Sequence, residues 1–260
     1  MKNDLEKNMR NWTKICLTAA LAVWTFAGLG IADAAAQARR AKVPYEYTAF
    51  EGTNWVTMFD GKSLTGWIPL ELGGSGPTEF EADFVPDKTP DAKPTPILRV
   101  NRGDMLSGMA WTNGPVRMNY EIEWEAMRVD GNDFFAAMSF PVKEDYVTFI
   151  PSGWGGSVGG ISSVDDHDAS ENETSSFLSL DDQKWYKFKV RVTEKKIECW
   201  VDEKRIVNLL TEGKKLGLRP GSPSEIKRYG IVCTAYRTTG AIRSIKMRKI
   251  DPGEKTAEKK

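Results

Sequence analysis

Tyr120-Glu121-Ile122-Glu123-Trp124-Glu125-Ala126 alternates apolar residues with glutamates, one position at a time. Successive side chains of a strand point to opposite faces, so this stretch has one oily face and one acidic face. The pattern repeats with the opposite charge further on. Tyr186, Phe188, Val190 and Val192 alternate with Lys187, Lys189 and Arg191, and Ile197, Cys199 and Val201 alternate with Glu198, Trp200 and Asp202. Period two with one wet face is the mark of antiparallel sheets. Strand-like runs also cover Trp55 to Phe59, Phe134 to Phe140, Tyr146 to Ile150, Tyr229 to Ala235 and Ile242 to Ile250. Helical periodicity is nearly absent; its best candidate is the short stretch from Ile206 to Gly213. Many strands without alternating helices predict an all-β sandwich or barrel, set as one domain over residues 51–250.

Outward from that domain the character of the chain changes. Arg10 and Lys14 precede an apolar stretch from Ile15 to Ile31, followed by Ala32, Ala34, Ala35 and Ala36. A positive flank, an apolar run and small residues read as an export signal over residues 1–36, with an uncleaved anchor as the alternative. Cleavage predicts a periplasmic or secreted protein with no membrane contact of its own. Residues 37–50 read as a linker, and the charged residues 251–260 as a disordered tail. Six prolines between Pro69 and Pro96 predict a long surface loop.

The composition excludes more than it assigns. The 36 basic and 36 acidic residues balance, which leaves no surplus of cations for nucleic acid. Removing residues 1–36 takes Lys2, Lys7, Arg10 and Lys14 against Asp4, Glu6 and Asp33, so the remainder has a net charge of −1. A single His, His167, rules out sites that need two histidines. Cys199 and Cys233 each sit among apolar neighbours in strand-like runs. Two buried free thiols are the favoured reading, and a disulfide is the alternative in an oxidising compartment.

Two local runs invite chemistry. Ser152-Gly153-Trp154-Gly155-Gly156-Ser157-Val158-Gly159-Gly160 combines permissive backbone with an indole that offers a flat face to a sugar; a glycine-rich connection with no ligand is the plainer reading. Asp165-Asp166-His167-Asp168-Ala169-Ser170-Glu171-Asn172-Glu173-Thr174 crowds five carboxylates together. It reads as a solvated acidic turn, as a loop that presents His167 and a carboxylate to substrate, or as oxygen ligands for a divalent cation such as calcium. The calcium spacing matches no known loop, so no metal ligand is assigned and no cofactor is expected. Asn172-Glu173-Thr174 is also a glycosylation sequon.

The segment Trp55-Val56-Thr57-Met58-Phe59-Asp60-Gly61-Lys62-Ser63-Leu64-Thr65-Gly66-Trp67 resembles the "LFDGKSLDGW" opening of the 3-keto-disaccharide hydrolase domain family. That family is also described as 3-keto-glucoside lyase and 3-keto-2-hydroxy-glucal hydratase domains. The likeness continues through Arg102-Gly103-Asp104-Met105-Leu106, Asn119 to Glu125, Gln183-Lys184-Trp185-Tyr186 and Ile242 to Met247. It implies a concanavalin A-like jelly-roll sandwich of two antiparallel sheets, and an exported protein acting on glycosides oxidised at C3. A C3 ketone acidifies the C2 hydrogen, so a base and an enolate stabiliser suffice to expel the C1 substituent, after which water adds.

The chain departs from the family where polar residues are expected. The family's "N-S-G-I" reads Asn132-Asp133-Phe134-Phe135, its "Y-E-x-Q-I" reads Tyr146-Val147-Thr148-Phe149-Ile150, and its "Q-D-H-G" reads Thr234-Ala235-Tyr236-Arg237. Acid and base candidates chosen on chemistry and loop position, independently of the family, are Asp133, His167 and Glu171, with Arg237 as enolate stabiliser. Trp154, Asn132, Asp168 and Asn172 are the candidate substrate-binding residues. The expectation is a carbohydrate-active hydrolase or lyase; a non-catalytic carbohydrate-binding domain on the same sandwich is the alternative, because a fold serves both roles.

Overall fold

The computed structural model describes residues 52–114 and 116–254. The expected export signal and linker, and residues 255–260 of the charged tail, lie outside them. The described residues belong to one compact unit, which carries all that follows.

Fifteen strands and one short helix build the described part. The strands are β1 (Val56–Thr57), β2 (Trp67–Pro69), β3 (Thr78–Phe84), β4 (Thr95–Val100), β5 (Leu106–Trp111), β6 (Tyr120–Asp130), β7 (Ala137–Val142) and β8 (Asp145–Gly153). They continue with β9 (Val158–Ser162), β10 (Ser176–Phe177), β11 (Tyr186–Val192), β12 (Lys196–Val201), β13 (Lys204–Leu210), β14 (Val232–Tyr236) and β15 (Thr239–Lys249); the helix, α1, is Glu225–Tyr229. One sheet runs β13-β12-β11-β6-β15-β4-β3 with β1 beside β15, and the other runs β10-β9-β8-β7-β14-β5-β2. Every pairing is antiparallel. Chain neighbours such as β6 and β7 lie in different sheets, so the connections cross between layers in a concanavalin A-like jelly-roll sandwich.

The alternating stretches face as their patterns require. Ile122, Trp124, Phe188 and Val190 from the first sheet meet Met138, Phe140, Val147 and Phe149 from the second in one buried core. Each fully buried side chain of this size contributes about 1.5–3 kcal/mol. Trp124 stacks on Phe188 at 5.4 Å and meets Phe149 edge-on. Cys199 and Cys233 belong to this core as free, buried thiols.

The outer face of the first sheet is a charge lattice. Glu121, Glu123 and Glu125 on β6 pair in register with Arg191, Lys189 and Lys187 on β11. On their other side stand Arg248, Lys246 and Arg243 of β15. Glu121, with its side chain 1% exposed, lies 2.8 Å from both Lys189 and Arg191 and 2.7 Å from Arg248. Burial raises the pKa of Glu121, but the hydrogen bonds and charges of Lys189 and Arg248 outweigh it and hold the carboxyl below its ordinary value.

Three sequence expectations are corrected. Ile206 to Gly213 contains no helix: its first residues complete β13, where Val207 and Leu209 are buried and Asn208 and Leu210 face out. The tight turn at Asp202-Glu203 sets this strand against β12, with Val201 opposite Lys204, so tertiary pairing overrides a weak helical pattern. Residues 69–96 are no single loop, because β3 forms an edge strand there. The stretch Thr78 to Phe84 alternates with Glu79, Glu81 and Asp83 as β6 does, but the surrounding prolines and glycines conceal the pattern. Charge on an edge deters further pairing, and Glu81 is fixed 2.6 Å from Arg99 on β4. Finally, Asp251–Glu254 is an ordered turn, closed by Glu254 N–H to Asp251 O, and Glu254 reaches Arg248 at 2.7 Å. Among the described residues, no helix is long and apolar enough to cross a membrane.

Candidate functional site

The face of the seven-stranded sheet turned away from the core carries small and hydroxylated residues. On β7 and β8 the core takes Met138, Phe140, Val147 and Phe149, which leaves Ala137, Ser139, Thr148 and Ile150 on the outer side. Ser139 stands opposite Thr148, and Thr148 opposite Ser162 of β9, so three hydroxyls form one rung across three strands. The Ser139 and Thr148 hydroxyls are 2.8 Å apart. Thr234 and Tyr236 of β14 continue this face. Small side chains leave a depression, and loops wall it into a cleft of about 640 Å³, within the range of small-molecule sites.

Two loops meet at one wall. The acidic run after β9 pairs with residues 214–219: Ser163 and Gly217 exchange backbone hydrogen bonds, and Asp165 N–H donates to Lys215 O. Lys214 lies 2.5 Å from Glu173 and 3.1 Å from Asp165, and Lys215 lies 2.7 Å from Asp166. The Lys215 N–H and the Lys214 ammonium hold the Asp165 carboxyl below its ordinary value. Asp168, 15% exposed, sits 3.0 Å from Arg219, and both residues line the cleft. Its other oxygen accepts the Ala169 N–H at 2.8 Å. Four of the five carboxylates that looked crowded in sequence, Asp165, Asp166, Asp168 and Glu173, thus face cations of the same chain. Among the described residues, no three His, Cys, Asp or Glu side chains gather as metal ligands.

The opposite end is built by the glycine-rich run, a hairpin turn between β8 and β9 rather than a long connection. Asp133 fixes it. One carboxylate oxygen accepts the Phe134 N–H at 2.8 Å and the other accepts the Gly155 N–H at 2.8 Å. Gly156 has φ +92°, and a Cβ there would sit 2.7 Å from Asn132 O, so the close approach demands glycine. Trp154 is 37% exposed and lines the cleft beside Phe134, whose ring lies 6.0 Å from that of Tyr236. Arg128 supports this end from below, donating to Asp133 O at 3.3 Å, to Asp182 at 2.5 Å and to Leu180 O.

The sequence-chosen residues are therefore divided. Asp133, Trp154 and Asp168 line the cleft. His167 and Glu171 are exposed on the acidic loop outside its lining. Asn172 braces that loop, its amide donating to Ile161 O, His167 O and Asp168 O, while Thr174 accepts the Ile161 N–H; the sequon residues thus cap the β9 edge. Asn132 is exposed beside the hairpin turn. Arg237 is exposed, donates to Asp104 O at 2.7 Å and lies over the Tyr236 ring at 5.7 Å, beside the cleft but not in its lining. Asp133, His167, Glu171 and Arg237 do not converge.

Arg219, Tyr236 and the hydroxyl rung were not picked out from sequence, although the rung was visible as Ser or Thr on otherwise apolar strands. The reading of Val147 and Phe149 as lost polar positions needs correction. Both are wholly buried between the sheets, so they serve packing, and the cleft face of β8 is Thr148 and Ile150.

Solved structures with likeness to this chain include domain 4 of AbnA, a GH43 extracellular arabinanase from Geobacillus stearothermophilus, in complex with arabinotriose. It is 10% identical over 70% of this chain and 82% of that one, with a TM-score of 0.43. The Crh5 transglycosylase in complex with NAG is 10% identical over 78% and 86%, TM-score 0.46. The carbohydrate-binding module CBM66 from Bacillus subtilis is 12% identical over 76% and 98%, TM-score 0.37. No curated protein sequence matches. The profile of the family described as 3-keto-alpha-glucoside-1,2-lyase-like domain matches residues 54–227, more than half of the chain. With its opening motif, sandwich and walled cleft accounted for, the chain belongs to the 3-keto-α-glucoside-1,2-lyase-like domain family.

Proposed function

We propose that the cleft binds a glycoside oxidised at C3 and cleaves it by elimination, with Asp168 as base and Arg219 as enolate stabiliser. The observation that carries this reading is the Asp168–Arg219 pair, 3.0 Å apart at the cleft wall beside the hydroxyl rung. Asp168 takes the C2 proton, and the electron pair moves onto the C3 oxygen, where the guanidinium balances the developing charge. The enolate re-forms the ketone and expels the C1 oxygen with its bonding electrons, leaving a C1–C2 double bond. The leaving oxygen takes a proton, and water adds at C1 to give the 3-keto sugar. Ser139, Thr148, Ser162 and Thr234 supply hydrogen bonds to the ring hydroxyls. The export signal read in residues 1–36 supports action in the periplasm or outside the cell.

The test is incubation with a 3-keto-glucoside and its unoxidised parent, following aglycone release. Release from the keto form alone is expected, falling about 10²–10⁴-fold in Asp168→Asn. Binding of either compound without release would overturn the catalytic reading in favour of a carbohydrate-binding domain. That second reading is favoured by the failure of Asp133, His167, Glu171 and Arg237 to converge.

A further inference from the structure

The cleft has two unlike ends. Its hydroxyl rung crosses β8 at Thr148, and the Asp168–Arg219 pair stands on the wall where the loop after β9 meets residues 214–219. Trp154 follows the far end of that strand, with Gly153 five residues beyond Thr148 and past an irregularity between Ile150 and Gly153. At this far end the lining is Trp154, Phe134, Tyr236, Met105, Leu106 and Leu72. Leu106 stands opposite Tyr236 across β5 and β14, and Met105, at its side, is 50% exposed. Of the polar groups here, Asp133 accepts backbone N–H groups with both oxygens, the Tyr236 hydroxyl lies 3.8 Å from the Met105 sulfur, and Arg237, 5.7 Å over the Tyr236 ring, donates through Nε to Asp104 O.

A second sugar ring in this end would bring several hydroxyls against apolar walls, and burying a hydroxyl without a partner is unfavourable. An aromatic ring meets no such penalty and finds three aromatic faces and a polarisable sulfur. We propose that this end receives an aromatic aglycone, so that the ligand class is an aryl glycoside with its sugar on the hydroxyl rung. The inference rests on the saccharide reading of the same cleft and adds the identity of the leaving group.

Calorimetric titration of the full-length Asp168→Asn chain, which binds without turnover, tests it. The ligands are methyl α-glucoside, phenyl α-glucoside and maltose, each oxidised at C3 of the glucose ring that bears the aglycone, and phenol. Phenyl α-glucoside is expected to bind about tenfold tighter than methyl α-glucoside, the scale of burying one ring, with maltose no tighter than the methyl compound. Met105→Lys, at an exposed position with little packing to lose, is expected to reduce that preference below about threefold with an unchanged melting temperature. Maltose binding as tightly as the phenyl compound, or equal affinities for the phenyl and methyl compounds, would overturn the proposal and leave the saccharide reading standing. Phenol binding as tightly as phenyl α-glucoside would instead overturn the saccharide reading, and the proposal with it.

Discussion

Asp133 holds the backbone of Gly155 through a 2.8 Å hydrogen bond across 22 residues of sequence, and this contact sets the position of the neighbouring Trp154 indole. A charge-assisted bond of this kind contributes about 1.5–3 kcal/mol. Asp133→Ala is therefore expected to lower stability by about that amount and to weaken binding of glycosides that touch Trp154. Asp133→Asn keeps an oxygen for one of the two N–H groups and is expected to recover part of both losses. Titration calorimetry and thermal melts of the two variants check this. An Asn variant that melts and binds like the Ala variant would remove Asp133 from its positioning role.

Arg128 is 6% exposed and joins β6 to Asp133, Leu180 and Asp182. Removing its guanidinium strands the Leu180 carbonyl and leaves the Asp182 carboxylate without its cation. Arg128→Met is expected to destabilise the domain by about 1–3 kcal/mol, mainly through the unsatisfied carbonyls, because Asp182 is half exposed. That is roughly a 5 °C fall in Tm for a domain of this size. Urea unfolding measures it, and a change under 1 kcal/mol would contradict the arrangement.

The Glu121 lattice makes stability depend on acid. Its carboxyl is held below its ordinary value in the fold, so its contribution is complete above the unfolded pKa of about 4.3 and disappears as pH falls through the folded one. The Tm difference between the native chain and Glu121→Gln is expected to be largest at neutral pH and to shrink on acidification below about pH 4. A difference independent of pH would mean that the lattice contributes by packing alone.

Cys199 and Cys233 should resist thiol reagents until the protein unfolds. Burial raises the Cys233 pKa to about 12 and that of Cys199 well above its ordinary value, the latter helped by the charge of Glu198. A folded thiol that stays protonated while its unfolded counterpart ionises removes stability as pH rises past about 8.5. Native labelling with a thiol reagent, and melting between pH 8 and 10, are the measurements. Rapid modification of Cys199 or Cys233 in the native protein, distinguished from Cys16 by peptide mapping, would show that the sheets do not enclose these side chains.

The alternation in Tyr120 to Ala126 and in Tyr186 to Val192 was enough to assign strands and their faces, because side-chain direction in a strand follows directly from the two-residue period. It left a sandwich or a barrel, and the family resemblance supplied the two layers. The opening motif likewise carried the family. Edge strands were harder: β3 alternates but lies among prolines and glycines, and β13 has a mixed pattern with Ile206, Val207, Leu209 and Leu210 close together. The cleft was decided by tertiary structure. Ser139, Thr148 and Ser162 are scattered along the chain and become one rung only through strand register, while Asp168 and Arg219, 51 positions apart in sequence, meet because two loops pair. The same register turned Val147 inward and left His167, Glu171 and Arg237 outside the cleft. Local order sets which way each side chain faces; which side chains share a space depends on contacts that no local pattern encodes.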